Sequence, residues 1–323
     1  MQRSKLPHAL IPRAFRSTSF FALVASLLAT PLAVTVALPG TAHAAVSFAS
    51  TDSNGRIEYG TDAVFTGSLS SGESGRTVVL QHKRVDGTWQ QVDETTTDSS
   101  GAYRLTYGPR YNGHFRANVN APSTTEPEQT SDTVPIDVRA NLSGDGPDHT
   151  LRDRTHTVTG VLRPGRSGRP IALEKYYPGS GWKQIASSQS ASDGTYRLAW
   201  TPVALGSFSL RVRFKGDTYN LSDTAAVPGG VNVYRATVAS WYGPGLFGNR
   251  TACGQILRSD TQGVAHKTLS CGTQVRFYYR GRTKVVPVID RGPYVNGRTW
   301  DLTYATKQSL GFPDGVDTVW STR

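Results

Sequence analysis

"TQVRFYYRGRTKVVPVIDRGPYVNGRTWDLTYATKQSLGF", residues 273–312, decides how the C-terminal part of this chain folds. "TQVRFYYRG" and "TKVVPVIDRG" are short runs of strand-forming residues closed by glycine turns, the pattern of consecutive β-strands. "TYATKQSLGF" changes period and reads as one short helix, with Thr303 placed to cap its start and Gly311 to stop it. From Val233 to Arg323 this is the one helical signal in a strand-rich unit, which predicts a small closed barrel.

Upstream, the chain repeats itself. "GRTVVLQHKRVDGTWQQVDETTTDSSGAYRLTYGPRYNGHF", from Gly75, aligns without a gap to "GRPIALEKYYPGSGWKQIASSQSASDGTYRLAWTPVALGSF", from Gly168. The alignment pairs Trp89 with Trp182, Gln91 with Gln184, Gly101 with Gly194, Tyr103 with Tyr196 and Phe115 with Phe208. Alternating strands with turns at Ser100-Gly101 and Asp193-Gly194 fit an antiparallel sandwich in each copy. Matched Trp, Tyr and Phe residues are expected in the shared core rather than on a ligand platform. Neither copy contains cysteine, so both resemble the cysteine-free bacterial Ig-like modules that act as spacers or adhesion units. Segments 120–132, 141–151 and 222–230 are rich in small and polar residues and read as a loop and two linkers.

Residues 1–19 carry Arg3, Lys5, Arg13 and Arg16 without an acid; an apolar stretch to Leu38 and "TAHA" follow. That order predicts a signal peptide over 1–44, a secreted, extracellular or wall-associated protein, and no stable membrane anchor after cleavage. Charge is then distributed unevenly. Residues 45–232 hold 19 basic and 19 acidic side chains, whereas 233–323 hold 12 and 5, a net +7. An exported basic module points to an anionic cell-wall polymer as partner; with no nucleic-acid-binding motif, nucleic acid is not expected. The two cysteines, Cys253 and Cys271, are expected to pair in an oxidising compartment, since neither a catalytic thiol nor a zinc site uses both at this spacing.

"ASWYG", "TACGQ", "GVAHKTLSCGTQVRF", "VPVIDRGPY" and "GRTWDLT" occur in this order between about 235 and 320. On these motifs the segment resembles the rare lipoprotein A (RlpA) family, related to expansins and barwin-like proteins. The repeat and the resemblance together predict an all-β chain: from the repeat, Ig-like β-sandwiches over 45–139 and 140–232, and from the resemblance a six-stranded double-psi β-barrel with one short helix over 233–323. The resemblance also implies a peptidoglycan substrate, lytic transglycosylase activity in some members, and no cofactor. The runner-up reading is an expansin-like protein that binds wall polysaccharide without cleaving it.

Cleaving a glycosidic bond needs a carboxylic acid to protonate the leaving oxygen. Residues 233–323 contain no Glu, which leaves Asp260, Asp290, Asp301, Asp314 and Asp317. Asp260, Asp314 and Asp317 lie in polar loops and are expected at the surface. Asp301 is expected to cap the helix or pair with Arg298. Asp290 ends the apolar run "VVPVI", where a side chain can enter a groove, and the resemblance places the family's acid there. His266 is expected as its catalytic companion, with Gln255, Thr251, Tyr242, Trp241, Arg291 and Tyr294 contacting substrate. Gln255 stands where many active relatives have Glu, which weakens any mechanism with two carboxylates. Arg291 raises a further question: a guanidinium directed at Asp290 would make it a counter-ion.

Overall fold

The computed structural model describes residues 46–120 and 128–323; the expected signal peptide and its cleavage site lie outside the described residues. Among the described residues the chain is all-β apart from one α-helix and a single 3-10 turn. Its buried apolar side chains gather in three clusters, drawn from residues 57–138, 140–233 and 239–319.

Each of the first two clusters lies between two sheets. In the first sandwich, Ala49–Ser50, Ala63–Ser68 and Ala102–Tyr107 face a sheet whose centre is Thr77–Arg84 and Gly113–Val119. Phe65, Leu80, Leu105 and Phe115 fill the space between them. In the second, Asn141–Asp145, His156–Arg163 and Thr195–Trp200 face Gly181–Gln189, Pro170–Tyr177, Leu210–Phe214 and Asp223–Ala226, over Leu162, Leu173, Leu198 and Phe214. The copies share fine detail. β-Bulges fall at Leu80/Gln81 and Leu173/Glu174. The hydroxyls of the buried Tyr103 and Tyr196 donate to the Ser47 and Ser143 carbonyls. Gly101 and Gly194, at φ +78° and +86°, make the preceding turns, and a Cβ at either would strike backbone.

Two expectations about the repeat need correction. Leu80 pairs with Ala117 while Leu173 pairs with Val212, so Phe115 corresponds to Leu210 and not to Phe208. The second copy carries two more residues between these strands, an insertion a surface loop absorbs cheaply. Trp89 and Trp182 are half-buried on the outer faces rather than in the cores. The guanidiniums of Arg116 and Arg211 cover their rings at 4.2 and 4.4 Å, so cation–π contact replaces core packing.

The linker expected at 141–151 is mostly strand, and the one expected at 222–230 contains the strand Asp223–Ala226. Asn220, fully buried, ties the sandwiches together: its amide donates to the Arg110 and Val138 carbonyls and its oxygen accepts from Arg169. Beyond it, strand β1 (Val231–Tyr242) runs without a break from the second sandwich into the C-terminal unit. Its first residues pair with His149–Leu151 and Gly206–Phe208, its later ones with the barrel. Tyr234, fully buried at this passage, bonds His149 and packs against Tyr278 and Trp320.

The barrel strands are β1, β2 (Val264–Ala265), β3 (Gln274–Tyr279), β4 (Arg282–Asp290), β5 (Trp300–Thr303) and β6 (Asp317–Ser321). They are hydrogen-bonded in the order β1-β5-β2-β4-β3-β6, and β6 returns to β1 to close the ring. The pairs β1–β5 and β2–β4 are parallel, the others antiparallel. Helix α1 (Tyr304–Leu310) has the caps its sequence predicts: Thr303 accepts from the Thr306 amide and Gly311 is left-handed, with Phe312 folded back onto the core.

Candidate active site

Strand alternation sorts the residues around β5. Trp300 and Leu302 point into the core with Ala239 and Val264, so Asp301 points outward. Ser240 is its partner on β1 and Ala265 its partner on β2; Ala265 is also the partner of Asp290 on β4. Directly paired residues share a face, so Asp290 and Asp301 stand on one outer face with the small Ala265 between them, backbones about 10 Å apart at two strand spacings. Tyr242, two residues beyond Ser240, adds its phenol to this face.

The well-formed hydrogen bonds to the Asp290 side chain come from backbone amides. Its Oδ1 accepts from the Ala252 amide at 2.9 Å and the Arg291 amide at 2.8 Å. The guanidinium of Arg291 turns away, towards the His266 and Asp290 carbonyls at 3.4 Å and the Cys271 sulfur at 3.5 Å. Among the described residues no side-chain cation forms an ion pair with Asp290. The Ala252 donor belongs to the loop 250–256, which the Cys253–Cys271 disulfide fixes (Cα–Cα 5.8 Å) and which docks on the end of β4 through Cys253 N–H to Ile289 O. The sequence-predicted disulfide therefore serves the position of Asp290.

Asp301 does not cap the helix; Thr303 does. Ser240 donates to its carboxylate at 2.8 Å, and burial raises its pKa, opposed by Ser240 and Arg298 and reinforced by the negative charge of Asp290. The buried hydroxyl of Tyr242 has no well-formed hydrogen bond among the described residues. Burial, then the adjacent Asp290 and Asp301 carboxylates, push its pKa far above that of an ordinary phenol. Two carboxyls and a neutral phenol thus share one face, an arrangement able to hold and pass a proton.

His266 is placed differently. Its ring packs against Trp300, 4.6 Å between centroids, and its Nδ1 accepts from the Thr268 and Leu269 amides at 3.1 and 3.0 Å. Nδ1 is therefore the unprotonated nitrogen and Nε2 carries the hydrogen. Burial and the nearby Arg235, Arg291 and Lys267 lower its pKa, keeping it neutral. Its link to Asp290 is through backbone, His266 N–H to Asp290 O at 3.2 Å.

The other expected contact residues divide. Thr251 is buried and its hydroxyl accepts from the Gln255 amide, closing the loop; the Gln255 side chain is exposed. Trp241 packs against the barrel core beneath the Lys307 ammonium. Tyr294, 79% exposed, follows the cis Gly292–Pro293 bond, beside the exposed Val295. Leu246, Phe247 and Ile256, in the segment between β1 and β2, are likewise exposed apolar side chains, and no local sequence signal marks them out. Of the remaining acids, Asp260 and Asp314 are at the surface, the latter paired with Lys307 at 2.6 Å. Asp317 is instead half-buried and accepts from Tyr279 at 2.6 Å. Among the described residues no group of three or more His, Cys, Asp or Glu is arranged to hold a metal ion.

Comparison with known proteins agrees with this geometry. Residues 234–319 match the family described as "Lytic transglycolase". A probable endolytic peptidoglycan transglycosylase RlpA of Synechocystis is 37% identical over 94 residues, 28% of this chain and 28% of that protein. One of Aquifex aeolicus is 44% identical over 81 residues, 24% of this chain and 36% of its own. The endolytic peptidoglycan transglycosylase RlpA of Campylobacter jejuni is 34% identical over 130 residues, 40% of each chain. The chain thus matches well under half the length of each of these relatives. With the closed six-strand ring and the outer face bearing Asp290, these matches lead to one conclusion: the C-terminal unit of this chain is an RlpA-like double-psi β-barrel.

Proposed function

We propose that this is an exported cell-envelope protein whose barrel cleaves peptidoglycan glycan strands as a lytic transglycosylase, with Asp290 as the single acid and base. The observation that carries this reading is the state of Asp290: two backbone N–H groups fix one carboxylate oxygen, and among the described residues no side-chain cation forms an ion pair with the carboxylate. In the first step the Asp290 carboxylic acid gives its proton to the glycosidic oxygen as the bond to the anomeric carbon breaks. In the second the Asp290 carboxylate takes the proton from the sugar's own C6 hydroxyl, whose oxygen closes on the anomeric carbon and leaves a 1,6-anhydro end. No water is consumed and the acid is regenerated. Tyr242 and Asp301 border the acid, while His266 acts as a positioning residue through its backbone bond to Asp290.

The three-part division at residues 139/140 and 232/233 belongs to the same proposal, with the sandwiches as a rigid stalk behind the barrel. Glycan strands stripped of peptide, incubated with the protein, release anhydro-ended products. Asp290→Asn abolishes the release while keeping the fold, because the amide oxygen still accepts from Ala252 and Arg291. Product from Asp290→Asn at the wild-type rate, or none from wild type, defeats the assignment.

A second reading, wall binding without cleavage, is favoured by the exposed amide of Gln255 and the net +7 of residues 233–323. It predicts salt-sensitive co-sedimentation with purified walls that Asp290→Asn leaves intact, and no released product.

A further inference from the structure

Away from the barrel, the first sandwich contains a cavity of about 410 Å³, within the roughly 300–1,000 Å³ typical of small-molecule sites. His82, Arg84, Gln90, Tyr107, Arg110 and Tyr111 contribute to its wall. The second sandwich offers an internal comparison, because the 93-residue offset holds over this region. There His82 becomes Lys175, Arg84 becomes Tyr177 and Tyr107 becomes Trp200. Lys175 is buried, with its ammonium 4.3 Å from the Tyr177 ring, 5.6 Å from Trp200 and 4.3 Å from Phe208. The second copy therefore supplies its own cation to an aromatic enclosure. In the first, the shorter, neutral His82 lies flat on Phe115, ring centroids 4.4 Å apart, and the space above it is open.

The lining has a definite chemistry. Arg110 is exposed and its guanidinium has no ion pair among the described residues. Among the described residues the one carboxylate paired with Arg84 is Asp86, at 3.7 Å and shared with the Tyr219 hydroxyl, and the guanidinium also lies 5.7 Å from the Tyr111 ring. Two guanidiniums without a close carboxylate suit a planar anion held by paired N–H groups. Tyr107 and Tyr111 add aromatic rings to the wall, the kind of surface against which the C–H side of a sugar packs. Gln90 donates to Thr88 at 2.9 Å, which leaves its carbonyl oxygen free to accept from a ring hydroxyl.

We propose that this cavity is a binding site for a carboxylate-bearing saccharide unit. The site is separate from the barrel face and does not depend on the barrel being catalytic. In the second sandwich Lys175 fills the equivalent place, so one copy of the repeat binds and the other supports.

The test uses the full chain carrying Asp290→Asn, so that turnover in the barrel is silent, with ligand-observed NMR titration as the readout. N-acetylmuramic acid and glucuronic acid, the two kinds of source for such a unit, are compared with N-acetylglucosamine, methyl glucoside and propionate. The acids bind saturably, and the neutral sugars and the ringless carboxylate bind at least about tenfold more weakly. Arg110→Glu, at an exposed position, weakens the acids by about tenfold or more while leaving glycan cleavage by otherwise wild-type protein unchanged. His82→Lys, which installs the second copy's residue, abolishes binding; Arg110→Glu keeps the test decisive if that variant does not fold. Binding of one acid and not the other identifies the source. No saturable binding of either acid, equal binding of neutral sugars or propionate, or indifference to Arg110→Glu overturns the proposal. Loss of cleavage in Asp290→Asn is read separately, so failure of one assignment does not imitate failure of the other.

Discussion

Replacing Cys253 and Cys271 together by serine tests whether the disulfide positions the acid as well as stabilising the barrel. The bridge closes a loop of 18 residues, and the chain-entropy relation gives about 3 kcal/mol for a loop of that length. The docked loop also makes two hydrogen bonds that the bridge holds in register, Cys253 N–H to Ile289 O at 3.2 Å and Ala252 N–H to Asp290 Oδ1 at 2.9 Å. Freed from the bridge these open more often, and each contributes on the order of 1 kcal/mol when formed. Urea unfolding of wild type and the double variant should therefore differ by about 3 kcal/mol, with a larger m-value for the variant because its unbridged unfolded chain exposes more surface. Hydrogen exchange at the Ala252 amide should accelerate further than exchange in the centre of β4, because the loop opens locally before the barrel does. Glycan cleavage should fall with it, since Asp290 loses a fixed donor. A stability difference under about 1 kcal/mol, with Ala252 exchange unaltered, would refute the reasoning.

Acid should weaken the first sandwich through His82, whose pKa burial lowers from 6.5 to about 4, with Arg84 and His114 adding to the effect. The unfolded chain takes up this proton near pH 6.5 and the folded chain resists it, so stability is full above pH 6.5 and declines as pH falls towards 4. The loss is on the order of 3 kcal/mol. His156 and His149, lowered chiefly by burial, give the second sandwich an acid sensitivity of the same sign. Urea midpoints measured from pH 7 to pH 4 check the slope, which His82→Phe should flatten. Asn220→Ala strips the Arg110 and Val138 carbonyls of a buried donor and Arg169 of an acceptor, and should cost about 2–4 kcal/mol by thermal unfolding.

What the sequence revealed about this fold follows from how local each signal is. Thr303 and Gly311 mark the helix because caps act within one turn, and the chain's only two cysteines leave one pairing. Tyr103 and Tyr196 show the repeat because their neighbours are repeated too. The match of Phe115 to Phe208 fails because a two-residue loop insertion leaves no trace in an ungapped alignment; only strand pairing reveals it. "SDTAAVPGG" has the composition of a linker yet contributes an edge strand, since an edge needs backbone pairing on one side only. Asp290 could be singled out by its place after an apolar run. The position of Asp301 was within reach as well, because Trp300 and Leu302 on either side of it dictate an outward carboxyl. The direction of Arg291 was not, since it depends on the carbonyl of His266 and the sulfur of Cys271, 25 and 20 residues away in the chain.

The unbroken strand from Val231 to Tyr242 makes the second sandwich and the barrel partners in cooperativity. Val231 and Val233 belong to one hydrophobic cluster and Ala239 to the next, so the same hydrogen-bonded ribbon ends one core and begins the other. Melting the barrel would release the far half of that ribbon and fray the near half, which His149–Leu151 and Gly206–Phe208 require as their partner. The sandwich thus reports on the barrel's integrity: two units joined in this way unfold in the same transition, with no half-folded barrel left on an intact second sandwich.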